Sequence, residues 1–188
     1  MKGTKIASLS ILLTVLFPPA ALGEVAPSTP ECFGQPATIV GTEGDDHLEG
    51  TEGDDVIMGL RGDDGINGNG GADLICGGPG HNTMYGDSPF NVNRNDGGDR
   101  IRGGPESDFI DGGKGGDLIL GGGDNDPLNG GTGRDRLSGG GGNDSISGNE
   151  GDDYLDGGPD VPPGGDFMSG DQGTDTCVNG EFVETCEM

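Results

Sequence analysis

The sequence predicts an all-β fold, a parallel solenoid in which very short strands stack into two sheets. Three observations carry this prediction. Glycine supplies 44 of the 188 residues, tryptophan is absent and only 29% of residues are hydrophobic, too few to fill a deep apolar core. A nine-residue period runs from Gly41 to Val178. Within that period an apolar residue recurs once per row, always at the same place. Glycine does not recur every third residue and proline numbers only 12, which excludes a collagen-like helix. The 34 acidic residues against 9 Lys plus Arg give a net charge of −25. Such a chain would repel phosphates, so nucleic-acid binding is disfavoured.

In chain order, residues 1–23 have the layout of a secretory signal peptide: Lys2 and Lys5, then an apolar run from Ile6 to Phe17, then Ala21-Leu22-Gly23. The run is about a dozen residues, short of the roughly 20 needed to span a membrane, and Pro18-Pro19 ends it. Residues 24–31, with Pro27 and Pro30, read as a linker. Residues 32–40 read as an N-terminal cap whose strand, Ala37 to Val40, covers the open end of the stack. Residues 41–178 are the repeats, and residues 179–188 a C-terminal cap. No later stretch is long and apolar enough to span a membrane.

Written in nines, the repeat region gives fourteen rows, from GTEGDDHLE at Gly41 to GDQGTDTCV at Gly170. Position one is Gly in all fourteen, position four is Gly in twelve, and position six is Asp in thirteen, with Asn82 the exception. Position eight is always apolar: Leu48, Ile57, Ile66, Ile75, Met84, Ile101, Ile110, Ile119, Leu128, Leu137, Ile146, Leu155, Met168 and Cys177. Each row reads as a six-residue loop and a three-residue strand. A strand so short must stack on copies of itself. Two rows make one coil, which places rows i and i+2 about 4.8 Å apart with position eight inward. Two rows are interrupted, one by eight residues after Asp87 (Ser88 to Asn95) and one by about four near Val161-Pro162-Pro163.

These rows resemble the nonapeptide G-G-x-G-x-D-x-U-x of the RTX, or hemolysin-type, calcium-binding repeats. The resemblance implies a parallel β-roll with calcium between its turns. The charge argument reaches the same ion. Stacking brings the position-six carboxylates of rows i and i+2 together, where like charges repel unless a cation intervenes. Calcium accepts six to eight oxygen ligands; magnesium demands a tighter octahedron; zinc would want His or Cys, which no row position repeats. The candidate Ca2+ ligands on the odd-row edge are Asp46, Asp64, Asp108, Asp126, Asp144 and Asp166. On the even-row edge they are Asp55, Asp73, Asp99, Asp117, Asp135, Asp153 and Asp175. Departures from the motif cluster on the odd edge (Asn82, Glu106, Asp124 and Pro127), which predicts weak or missing calcium near its centre. The ratio of few inward side chains to many ordered residues predicts folding coupled to the ion.

Four cysteines in an exported chain suggest two disulfides, with three pairings open. Cys177 and Cys186 flank a turn at Asn179-Gly180 and suit a C-terminal hairpin cap with Phe182 and Val183, which leaves Cys32 to join Cys76. His47 and His81 occupy unrelated row positions and read as exposed loop residues. No Ser-His-Asp or Cys-His arrangement separates from the repeat, so no catalytic residue is assigned. The expectation is a secreted, non-enzymatic calcium-binding protein with a structural or adhesive role outside the cell. The alternative is a polysaccharide-binding or polysaccharide-acting accessory protein with its site on the roll surface. The expected partners are calcium ions, with extracellular polysaccharide or cell-surface components as the macromolecular candidates.

Overall fold

The computed structural model describes residues 29–88, 96–159 and 165–186. The signal segment, most of the linker and the centres of both insertions lie outside the described residues. Among the described residues every regular element is a strand. An antiparallel pair, β1 (Glu31–Cys32) and β2 (Gln35–Pro36), precedes strands β3 (Ile39–Val40) to β18 (Phe182–Glu184). These alternate between two eight-stranded sheets, the odd-numbered strands in the first and the even-numbered in the second. All pairings within the two sheets are parallel and join alternate strands, such as Ile119↔Leu137 and Leu137↔Leu155. That is the expected coil of two rows.

The interrupted rows keep this register. Ile75 still pairs with Ile101, and Ile146 with Met168, so the strands on either side of each insertion stay in phase. Position eight forms the core. Ile57 through Cys177 make one buried cluster, with Ile39, Leu48 and Cys186 partly buried against it. Each buried Ile or Leu contributes roughly 1.5–3 kcal/mol of apolar burial.

The strands are longer than expected at the centre. From β10 (Phe109–Lys114) to β14 (Ser145–Glu150) each has six residues, running on through positions one to three of the next row. The inward-outward alternation therefore puts position one inside as well as position eight. That interior space is already taken. A Cβ on Gly130 would lie 2.5 Å from Asp135 Oδ2 and 2.8 Å from the Gly148 carbonyl oxygen. Position one must therefore lack a side chain, because the position-six carboxylate of its own row fills the space.

Ile39–Val40 ends the stack as the edge strand of the first sheet, with Ile39 opposite Ile57 and Val40 opposite Met58. At the other end the chain forms no antiparallel hairpin. Strand β18 lies parallel to β16 (Phe167–Ser169), with Val183 opposite Met168. In each case the terminal segment extends the existing ladder, which satisfies edge N–H and C=O groups that a crossing strand would leave open. The disulfides pair as expected, Cys32–Cys76 and Cys177–Cys186, each with a Cα–Cα distance of 5.8 Å. Phe33, beside the first bridge, lies under the guanidinium groups of Arg100 and Arg102, at 4.4 and 4.7 Å from its ring centre.

Candidate metal centre

The position-six side chains form two continuous ladders, one along each edge. On the even-row edge the backbone N–H of Asp55 donates to Asp73 Oδ1, Asp73 to Asp99, Asp99 to Asp117, Asp117 to Asp135, Asp135 to Asp153 and Asp153 to Asp175, at 2.8–2.9 Å. The odd-row edge repeats this from Asp46 through Asp64, Asn82, Asp108, Asp126 and Asp144 to Asp166, at 2.7–3.0 Å. The next N–H along the chain donates back, as Arg136 does to the Asp117 carbonyl and Tyr154 to that of Asp135. All thirteen sequence-predicted aspartates are therefore brought into register with their neighbours. All but Asp46 are buried.

One oxygen of each carboxylate is thus fixed by a neighbour's backbone. The other oxygen decides the chemistry. Oδ2 of Asp64, Asp73, Asp99, Asp117, Asp126, Asp135, Asp153 and Asp175 is buried and accepts no hydrogen bond. An oxygen anion buried without a donor costs several kcal/mol and calls for a proton or a cation. Asp46 and Asp55 differ, because the hydroxyl groups of Thr42 and Thr51, at position two, donate to their Oδ2.

Electrostatics confirm the shortage of positive charge. Burial pushes the Asp99 carboxyl up to about 9 and that of Asp117 up to about 8. The same cause raises Asp73 and Asp126 to about 7, and Asp108 and Asp135 to about 6. The N–H bound at Oδ1 pulls each value back down. Neighbouring carboxylates, such as Asp117 and Asp73 beside Asp99, push upward again.

Row five shows what Oδ2 faces. Asn82 matches Asp in shape, and its Oδ1 accepts the Asp64 N–H as an aspartate would. Its Nδ2 donates to the carbonyl oxygens of Gly78 and Gly80, at 3.2 Å each. These are positions two and four of its own row. Where the side chain is Asp, an acceptor oxygen, Oδ2, takes the place of that NH2 donor. The position-four carbonyl also points along the stack at the next coil, where a Cβ on Gly133 would lie 1.4 Å from the Gly115 oxygen. Among the described residues no three His, Cys, Asp or Glu side chains converge. The donor set is therefore mixed carboxylate and carbonyl oxygen, all of it hard. It fits calcium and does not fit zinc.

The nonapeptide profile of the RTX calcium-binding repeat matches the chain four times, at residues 38–66, 49–84, 94–126 and 129–160. The chain belongs to the RTX calcium-binding repeat family. No curated protein matches the chain as a relative. As an RTX repeat protein it carries the repeat pattern of a calcium-binding family on a β-roll.

Sequence reasoning missed one part of this RTX site, an outer ladder at position five, where Asp45 Oδ1 accepts the Asp63 N–H, Asp54 that of Ala72, Asp63 that of His81 and Asp152 that of Thr174. The frequency of Asp and Asn at position five was its only trace. His47 is exposed and lies 3.1 Å from Glu49 Oε1. His81 is exposed too, but its ring nitrogen is 3.0 Å from the Ser107 carbonyl oxygen.

Proposed function

We propose that this RTX chain is exported and folds on calcium, with Asp64, Asp73, Asp99, Asp108, Asp117, Asp126, Asp135, Asp144, Asp153, Asp166 and Asp175 supplying side-chain oxygens to the ions. Asp46 and Asp55, whose second oxygens are already engaged by threonines, are the weakest ligands of the set. The carrying observation is the row of buried Oδ2 atoms with no donor. When bound, Ca2+ supplies the positive charge that lets carboxylate and carbonyl oxygens share one loop. The chain's residues hold those oxygens in register, and the position-one glycines leave room for them. Two disulfides fit an oxidising, extracellular setting, in keeping with the sequence layout of residues 1–23. We assign the protein a structural or adhesive role outside the cell and no enzymatic activity. Calorimetric titration of the exported chain with calcium tests this. Saturable binding of several ions per chain is expected, and no heat above dilution contradicts it.

A second reading, polysaccharide binding, has one observation in its favour. An open groove along the second sheet is lined by Asn129, Thr132, Asn149, Glu150, Asp171 and Gln172, side chains suited to sugar hydroxyls. Retention of the calcium-loaded protein on immobilised acidic polysaccharide, with the polymer left intact, supports that reading; free elution rejects it.

A further inference from the structure

We propose that the row-five loop of the odd edge is an ion-free rung, in which the Asn82 amide group stands where a cation stands in the aspartate rows. This inference rests on the calcium reading above and adds to it a residue that sets ion stoichiometry. The orientation of the amide is fixed by its partners. Oδ1 accepts the Asp64 N–H at 3.0 Å, and Nδ2 donates to the carbonyl oxygens of Gly78 and Gly80 at 3.2 Å. A flipped amide would set its oxygen against two carbonyl oxygens and its NH2 against an N–H. Asn82 is buried and neutral, so the rung satisfies itself with protons on nitrogen.

A second departure from the motif completes the arrangement. In rows three, eight, ten and twelve the position-four N–H donates to the position-three carbonyl two rows on, as Gly62 does to Pro79, Gly115 to Thr132 and Gly133 to Glu150. In row five the Gly80 N–H donates instead to Glu106 Oε2, at 3.0 Å. Glu106 is the residue that replaces glycine at position four of row seven. The His81 ring adds a contact to the Ser107 carbonyl oxygen of that same row, at 3.0 Å. Asn82 and Glu106 thus act on one rung: an amide supplies the donors that a cation would replace, and a carboxylate clasps the loop from the next coil. The sequence pattern predicts weak or missing calcium near the centre of this edge. Row nine escapes the effect, because its Asp126 keeps a buried Oδ2 with no donor.

The test is Asn82→Asp, counted by native mass spectrometry of the calcium-saturated chain beside the unchanged protein. Asn82→Asp is near-isosteric and should bind one more calcium ion per chain. Asn82→Ala should bind the same number as the unchanged protein, while losing its rung contacts and unfolding at lower urea in calcium. Equal counts for Asn82→Asp and the unchanged protein, with circular dichroism showing both folded, overturn the proposal. A lower count in Asn82→Ala than in the unchanged protein also overturns it, since that rung would then have held an ion. If the unchanged protein binds no calcium, the calcium reading itself fails and takes this inference with it.

Discussion

At position four of row ten, Gly133 has φ +139°, and an added Cβ would lie 1.4 Å from the Gly115 carbonyl oxygen. Both facts forbid a side chain, one through backbone conformation and one through contact with fixed backbone. The left-handed region costs an L-residue roughly 1–2 kcal/mol, and forced overpacking roughly 1–3 more. Gly141 is the natural control, since no atom lies within 4 Å of its built Cβ and its φ is not positive. Gly133→Ala should lose about 3 kcal/mol in urea unfolding with calcium present, while Gly141→Ala stays within about 1 kcal/mol of the starting protein. Equal losses in the two variants would mean that the close stacking of loops on carbonyls is wrong. Residue-level reasons such as these were only half legible in the sequence. Glycine at position one was visible as a rule, but not that the aspartate of the same row fills the space beside it. Asn82 was visible as a missing charge, but not as a donor to Gly78 and Gly80.

The aspartate ladders are elements in their own right, and their behaviour with pH follows from how they are buried. In chelator, the carboxyl groups of Asp99, Asp117, Asp73 and Asp126 titrate near 9, 8, 7 and 7, above the unfolded value of about 3.9. A raised folded value means the folded chain holds protons that the unfolded chain has released. That contribution to stability is fully present below about pH 4 and is lost as pH rises toward 7–9. Far-UV circular dichroism in chelator should therefore show more β-structure at pH 5 than at pH 9. The opposite order would contradict the burial of the ladders. Calcium takes the place of the protons, so its affinity should rise with pH over the same interval. The strands and their register were legible, because the apolar position-eight residues keep phase even across both insertions. The strand lengths were not, because a glycine contributes no hydrophobic signal when it continues a strand inward. The way the ends are closed was not legible for a related reason. Ile39 and Val183 are ordinary apolar residues, and only their pairing opposite Ile57 and Met168 shows that they extend the ladder.

Across the whole molecule, a thin apolar column holds two sheets together while the loops on both edges concentrate negative charge in buried positions. Such a stack is stable only when that charge is met, because the loops have little apolar burial of their own to order them. Small-angle scattering of the exported chain from Glu24 onward, with its disulfides intact, tests this most directly. With excess chelator at pH 8, the chain should be expanded, with a radius of gyration of roughly 40 Å. With calcium it should contract to roughly 20 Å or less. A chain that is equally compact with and without calcium would show that the carboxylate ladders hold the roll together unaided, and would contradict the account.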